Sequence, residues 1–291
     1  MNKLALLAVL PLSLAACLDT ADDESSIDQA ATGELGLHGA PEHLFHDRGN
    51  ARPGGGGGSS PLLIDHGGPV LTTNKTMAIF WGDWTNPGDK ITGLDAFFSG
   101  WGTSQLAGAS TEYSGIQKTS TYLGHTIDSS TPPRKALSVN NAVAEACKIT
   151  NNNPDPNGVY FIYTSTGAGH VSYCAWHSAG NCSNGAPIQV AYMPNIDGLA
   201  GCNPLDSAHT DSQHSEGLAA LANVTSHELS EAITDPRLNA WYDASGAENG
   251  DKCAWTFTSK ENVGGQSWWL QQEWSNDAYN ANSGSPRGCI P

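Results

Sequence analysis

The pattern of hydrophobic positions predicts strands that alternate with helices. Three short runs rich in β-branched and aromatic residues are bounded by turn formers, which is typical of buried strands: TMAIFWG (76–82), VYFIYTST (159–166) and PIQVAYMP (187–194). Apolar residues recur at helical spacing over about 91–107 and 137–149. We therefore expect an α/β (or α+β) fold, with helices packed on a mixed sheet.

A further helix is predicted from Ser215 to about Thr234, and Pro236 ends it because the residue before a proline is pushed out of the helical region. Its apolar side is marked by Leu218, Leu221, Ala222, Leu229, Ala232 and Ile233. After Pro236 the chain is rich in loops and aromatic residues, with one late strand expected in QSWWLQQEWS (266–275).

The amino-acid composition differs between residues 17–60 and residues 61–291. Residues 18 to 60 contain acidic clusters and the run PGGGGGSS, with few residues that could form a core. We interpret 17–60 as a disordered tether, with a removable propeptide as the alternative. Residues 61–291 contain no comparable linker and predict one globular domain with a loop-rich, disulfide-bonded C-terminal part.

The first residues have the form of an export signal. One lysine precedes an apolar run from Leu4 to Leu14 that is too short to span a bilayer. Leu14–Cys17 (LAAC) resembles the lipobox of bacterial lipoproteins, which implies cleavage of residues 1–16 and lipidation of Cys17; a plain signal-peptidase site is the alternative. Because Leu18 follows where an aspartate would favour inner-membrane retention, we expect an exported protein anchored by lipid in an outer membrane or at the cell surface.

The cysteine count agrees with export. Seven cysteines minus Cys17 leave six, an even number that predicts three disulfides without fixing their pairing. A zinc-thiolate cluster would need a pair separated by two to four residues, whereas the nearest two, Cys174 and Cys182, are separated by seven.

Charge and missing motifs exclude several classes of protein. A formal charge of -16, with only 13 Lys and Arg residues, argues against nucleic acid as a partner. The chain also lacks a catalytic-elbow GxSxG, a phosphate loop and a dinucleotide fingerprint.

The segment HELSE (227–231) lies within the predicted helix. His227 and Glu231 are four residues apart, so they project from one face and can meet one cation, while Glu228 is rotated toward the position of the general base in zinc proteases. The familiar HExxH motif has a second histidine where this chain has Glu231. An ordinary amphipathic helix remains the alternative to a metal site.

A catalytic zinc site needs a third protein ligand. The glycine-containing segment after the helix offers Glu248 and Asp251 as metal ligands, with Glu248 slightly favoured by its spacing from His227. Asp235 lies one turn beyond Glu231 and is expected to support the site or to bind the metal itself. A structural calcium ion held by Asp243, Glu248 and Asp251 is a further alternative.

Other histidines are candidates for supporting roles. His170 and His177 follow the strand at 159–166, and either could supply a metal ligand or a donor to a developing oxyanion; His170 is the candidate catalytic residue. His209 and His214 precede the helix in a polar loop and are expected to be exposed to solvent.

Four segments in order carry a family resemblance: the FWGDW-type strand, VYFIYTSTG, CAWH at 174–177 and TDPRLNAWYD at 234–243. Together they resemble the exordium-like, phosphate-induced protein family, specifically microbial members with HExxE. The presence of HExxE implies a zincin-like hydrolase, with His227 and Glu231 as zinc ligands and Glu228 as general base. The downstream histidine of metzincins has no counterpart here.

Two functions follow. The first is a surface-anchored, zinc-dependent peptidase that acts on peptide or protein substrates. The second is a non-enzymatic lipoprotein that binds cell-wall glycan or a protein partner through its late tryptophans, because aromatic faces stack on sugars. Those tryptophans are Trp241, Trp255, Trp268, Trp269 and Trp274.

Overall fold

Twelve strands and five helices form in the part of the chain that the computed structural model describes, residues 42–50 and 61–291. The strands are β1 (His43–His46), β2 (Ile64–Asp65), β3 (Asn74–Trp81), β4 (Ser120–Asp128), β5 (Gly158–Thr164), β6 (Tyr173–Asn181), β7 (Pro187–Met193), β8 (Trp241–Tyr242), β9 (Glu261–Val263), β10 (Gln266–Trp268), β11 (Glu273–Trp274) and β12 (Cys289–Ile290). The helices are α1 (Lys90–Gly100), α2 (Gln105–Ala109), α3 (Val139–Ile149), α4 (Glu216–Thr234) and α5 (Asn276–Asn280). The predicted signal peptide (1–16) and the lipidation site Cys17 lie outside the described residues.

The main sheet has six strands in the order β1-β6-β7-β5-β3-β4. Strands β3, β4, β5 and β7 pair in parallel: helices connect β3 to β4 and β4 to β5, and the chain passes from β5 to β7 through β6. Strand β6 then returns antiparallel to β7, and β1 pairs antiparallel with the outer side of β6. The sheet is therefore mixed, as the sequence predicted.

Helices cover both faces of this sheet. Helices α1 and α4 pack on one face, over a large apolar cluster centred on Phe80, Phe97, Phe161 and Leu229. Helix α3 covers the other face, over a smaller cluster that includes Ile162. Strands β5 and β7 are apolar along most of their length because both of their faces are covered.

The predicted elements are confirmed. The three predicted strands correspond to β3, β5 and β7, and the predicted helices to α3, α4 and the region of α1 and α2. The segment 91–107 is interrupted by a 3-10 turn at Trp101–Thr103, after which Ser104 caps α2 by accepting a hydrogen bond from Ala107 N–H. The late strand predicted in 266–275 is split into β10 and β11.

Strand β6 and strand β1 are additions to the predicted architecture. Strand β6 was not predicted because its sequence contains Ser, His and Gly in place of a run of β-branched residues, although its centre is buried. Strand β1 lies inside the range predicted as a disordered tether, and that prediction is wrong for residues 43–46, which pair with β6.

The six cysteines of the domain form three disulfides: Cys147–Cys182, Cys174–Cys202 and Cys253–Cys289. This confirms the predicted number and leaves none of the six as a zinc thiolate. Among the described residues, no helix is both long enough and apolar enough to cross a membrane.

Candidate metal centre

Helix α4 is buried on all sides, although it carries many polar residues. Its N-terminus is capped by Ser215, whose hydroxyl accepts a hydrogen bond from Leu218 N–H at 3.1 Å. From Leu218 to Thr234 each residue is buried, because the sheet covers one side of the helix and the C-terminal segments, including β10, cover the other. A buried polar face must find internal partners, so HELSE is not the solvent-facing side of an ordinary amphipathic helix.

His227 and Glu231 meet as the four-residue spacing predicted. Their atoms Nε2 and Oε1 lie 3.1 Å apart, and both side chains are fully buried. On the other side of the helix turn, Glu228 Oε2 accepts a hydrogen bond from His177 Nδ1 at 3.0 Å. His177 comes from the centre of β6, so the sheet and the helix each contribute to this cluster.

The segment after β8 brings two more carboxylates to the same place. A 3-10 turn at Asp251–Cys253 directs Asp251 toward the helix: its backbone N–H donates to Glu231 Oε1 at 3.1 Å, and its Oδ1 lies 4.0 Å from His227 Nε2. Glu248 Oε2 lies 3.8 Å from His177 Nε2. Both candidate ligands predicted from spacing therefore belong to the cluster.

His43, from β1, completes the cluster. Its Nε2 lies 2.7 Å from Asp251 Oδ2 and 3.8 Å from Glu231 Oε2, and its Nδ1 lies 3.3 Å from Glu248 Oε1. The ligand atoms of His43, Glu231 and Asp251 all lie within 4.8 Å of one another. Those of His177, Glu228 and Glu231 do as well, so Glu231 belongs to both sets.

This concentration of acids is electrostatically unfavourable without a cation. Burial and the charge of Glu231 raise the pKa of Glu228 well above its ordinary value, and burial and Asp235 do the same for Glu248. The carboxylates of Asp251 and Glu231 outweigh the effect of burial and raise the pKa of His43 to about 10. In the described chain no Lys or Arg forms an ion pair with the four carboxylates of the cluster.

Several buried atoms of the cluster have no hydrogen-bond partner within the described residues: His177 Nε2, His227 Nε2, Glu228 Oε1, Glu231 Oε2 and Glu248 Oε2. Buried polar atoms normally have a partner, and imidazole nitrogens with carboxylate oxygens are the ligands that zinc accepts. The donor set therefore fits a zinc ion, which would satisfy these atoms and offset the negative charge.

Gln271 positions the imidazole of His227. Its amide nitrogen lies 2.9 Å from His227 Nδ1 and donates to the Gly250 carbonyl at 2.9 Å, while its oxygen accepts from Trp255 N–H at 3.2 Å. Gln271 thereby fixes the orientation of the ring, so that Nε2 faces Glu231 and would be the nitrogen that holds a metal.

Of the other predicted residues, His170 and Asp243 lie elsewhere, whereas Asp235 is buried beside the cluster and its charge raises the pKa of Glu248. His170 is exposed in the loop before β6 and is not brought into the cluster, so His177 replaces it as the histidine beside Glu228. Asp235 ends α4 and accepts from the N–H groups of Asn239 and Ala240 at 2.6 and 2.7 Å, which supports the turn after the helix. Asp243 pairs with Lys252 at 2.6 Å, apart from Glu248 and Asp251.

His214 differs from its predicted exposure, because its ring stacks on Trp268 with centroids 3.7 Å apart. Trp268 is itself 1% exposed and packs against Phe97, so it cannot serve as a sugar platform. The indole N–H of Trp269 donates to the Thr210 carbonyl at 2.9 Å. The late tryptophans thus serve packing and loop contacts more than a continuous binding face.

Sequence reasoning missed His43 and Gln271. His43 lies in a segment whose composition indicates a tether, and only the apolar pair Leu44–Phe45 marks it as different.

Comparison with models of protein families, with characterised proteins and with solved structures found no match to this chain.

Proposed function

We propose that this protein is a zinc-dependent peptidase whose metal is held by His227, Glu231 and Asp251. The observation that carries the proposal is the position of the buried His227 Nε2, which has no hydrogen-bond partner among the described residues and lies 3.1 Å from Glu231 Oε1 and 4.0 Å from Asp251 Oδ1. Zinc in such a site polarises a carbonyl oxygen and lowers the pKa of a water molecule.

The chain's own groups supply the proton transfer. Glu228 is adjacent in sequence to one ligand but turned away from it, with one oxygen held by His177 and the other without a partner. The unpartnered oxygen, Oε1, is the position at which Glu228 can take up a proton. Glu228 acts as general base, and His177 is a positioning residue.

The location of the centre suits an extended substrate. The cluster lies beside the outer side of β6, where a strand can pair with the sheet through its backbone. This supports peptide rather than a small molecule as the substrate class, in agreement with the resemblance to HExxE proteins.

The proposal extends to an exported, lipid-anchored protein. Three disulfides support an oxidising compartment. Cleavage before Cys17 and its lipidation rest on the sequence alone.

Glu228→Gln tests the mechanism. The amide keeps the size and the hydrogen-bonding capacity of the side chain but cannot take a proton, so we expect peptide hydrolysis to fall by about 10²–10⁴-fold. Zinc content, measured by mass spectrometry, should stay close to that of the wild type.

Glu216→Gln is the matched control, because Glu216 is exposed in the first turn of the same helix. It should leave hydrolysis unchanged. Wild-type turnover in Glu228→Gln would contradict the assigned role of Glu228.

A further inference from the structure

Residues 42–50 bind the domain as an added strand. Strand β1 is the outermost strand of the main sheet and pairs antiparallel with β6, with His43 opposite His177 and Phe45 opposite Ala175. Ten residues, 51–60, separate Asn50 from Pro61 in the sequence. Strand addition to a sheet edge is a common way of binding an extended peptide.

The side chain of Phe45 occupies an aromatic slot next to the candidate metal ligands. Its ring stacks on His227, with centroids 3.7 Å apart and an interplanar angle of 14°, and on Trp255, with centroids 4.8 Å apart. Phe45 is only 1% exposed. In an extended peptide such a slot selects one side chain by size and aromaticity.

A second anchor lies three residues further along. The guanidinium of Arg48 lies 5.2 Å from the centre of the Trp255 ring and 5.6 Å from that of Phe257, and it pairs with Asp206 at 3.6 Å. The surface that holds residues 42–50 therefore fits an extended peptide with an aromatic residue followed, three positions later, by a basic one.

His43 covers the open side of the cluster. The side chains of His43 and Asp251 are 19% and 21% exposed, whereas those of His227 and Glu231 are fully buried. A catalytic zinc site keeps one position open for water and substrate, and His43 fills the space beside Asp251 from which they would enter.

We infer that residues 42–50 occupy the substrate groove of the proposed peptidase and hold it latent. A substrate replaces β1 on the edge of β6, with an aromatic side chain in the Phe45 slot and a basic side chain over Trp255. This inference rests on the proposed function. Because the segment is part of the same chain, its effective concentration is high, and a free peptide competes only when the anchors of the segment are removed.

The test uses the full chain with His43→Ala and Phe45→Ala combined, and a fluorescent synthetic peptide with the sequence of residues 42–50. We expect the double variant to bind this peptide at least tenfold more tightly than the wild type does. Its hydrolysis of a peptide library should rise at least tenfold, and the added peptide should inhibit that hydrolysis.

Leu44→Ala is the matched control. Leu44 lies on the same strand but packs against the apolar cluster on the other face of the sheet, so this truncation leaves the slot filled. It should resemble the wild type in peptide binding. Arg48→Ala is the fallback if the double variant fails to fold, because the Arg48 side chain is partly exposed and its loss opens no cavity. We expect this variant to bind the peptide about threefold more tightly than the wild type.

The outcomes separate this inference from the proposed function. Peptide binding by the double variant without zinc or hydrolysis would support the groove and overturn the peptidase. A different result is that the wild type, the double variant and Arg48→Ala bind the peptide equally, while zinc and Glu228-dependent hydrolysis are both present. That result would overturn the groove and leave the peptidase standing. Absence of both peptide binding and hydrolysis in all variants would overturn both.

Discussion

Gly250 holds its backbone against the two central residues of the metal centre. A methyl group added there would lie 2.7 Å from His227 Nδ1 and 2.9 Å from Glu231 Oε1, closer than real contacts allow. Since both side chains are fully buried, neither can move away without loss of its position. The absence of a side chain at 250 is thus a requirement of the site.

We predict that Gly250→Ala weakens zinc binding at least tenfold and destabilises the fold by about 1–3 kcal/mol, because the added methyl overpacks the centre. Zinc titration and chemical denaturation measure the two effects. Gly108→Ala is the control, since its nearest neighbour would lie at 3.8 Å. Wild-type zinc affinity in Gly250→Ala would show that His227 and Glu231 do not bind the ion together.

Residues of the centre differ in how far the sequence reveals them. His227, Glu228 and Glu231 follow from helical periodicity alone, and Glu248 and Asp251 from a short return loop. His43 and His177 meet them only through strand pairing between β1 and β6. Periodicity does not encode that long-range register, so the sequence alone does not distinguish His177 from His170 as the histidine beside Glu228.

At the scale of elements, the disulfide Cys253–Cys289 fixes the turn that carries Asp251. Cys147–Cys182 encloses a loop of almost the same length, with a separation of 35 residues against 36. It joins α3 to the residue that follows β6 and does not involve the turn at Asp251. Loss of either crosslink should therefore cost similar stability by loop entropy, with different effects on the metal.

We predict that replacing Cys253 and Cys289 together by Ser lowers the free energy of unfolding by about 4 kcal/mol and weakens zinc binding. Replacing Cys147 and Cys182 together should lower stability by a similar amount while zinc affinity stays within a factor of about two. Denaturant unfolding and zinc titration on both variants test this. Equal zinc affinity in the two would remove the disulfide from the support of the site.

A cluster of three charged side chains, Glu145 and Lys148 of α3 and Asp128 at the end of β4, links the two elements. Glu145 is 3% exposed, Lys148 bonds to Asp128 and lies 3.1 Å from Glu145 Oε2, and burial together with the nearby Asp128 raises the pKa of Glu145 to about 7. The folded state thus holds a proton on Glu145 more tightly than the unfolded chain, whose glutamate titrates near 4.5. Stability from this group is complete below pH ~4.5 and is lost as pH rises through about 7.

We predict that Glu145→Gln removes this loss, which is on the order of 1–3 kcal/mol between pH 5 and pH 8. Denaturant unfolding of wild type and variant at both pH values measures the difference, with the exposed Glu216→Gln as control. Parallel pH dependence in wild type and Glu145→Gln would rule out Glu145 as the titrating group.

The elements themselves were largely predictable. Strands β3, β5 and β7 and helices α3 and α4 have strong local patterns. The strands are nearly continuous apolar runs, and the helices carry apolar residues at helical spacing. Strand β1 has only four residues and gains its stability from β6 and the Phe45 slot. The only local signal of this strand is the apolar pair Leu44–Phe45, and its formation depends on the folded domain.

At the scale of the whole molecule, a bound cation would contribute to stability. Buried carboxylates that repel one another destabilise the fold, and an ion that binds only the folded chain stabilises it by mass action, by about 2.7 kcal/mol at a free concentration of 100 times Kd. For a domain of this size that corresponds to roughly 5–10 °C in Tm.

We therefore predict that a chelator lowers the Tm of the wild type by about this amount and that added zinc restores it. The double variant His227→Ala, Glu231→Ala should unfold at the same temperature with and without chelator. A chelator effect of equal size in both proteins would place the stabilising ion elsewhere.

The most direct test of the metal centre is the zinc content of the purified protein, measured by inductively coupled plasma mass spectrometry. Wild type and the His227→Ala, Glu231→Ala variant are compared at equal folded fraction. We predict about one zinc per wild-type chain and loss of that zinc in the variant, as the ligand assignment requires. Absence of zinc from both proteins, even after reconstitution, would contradict the metal centre and the peptidase proposed from it.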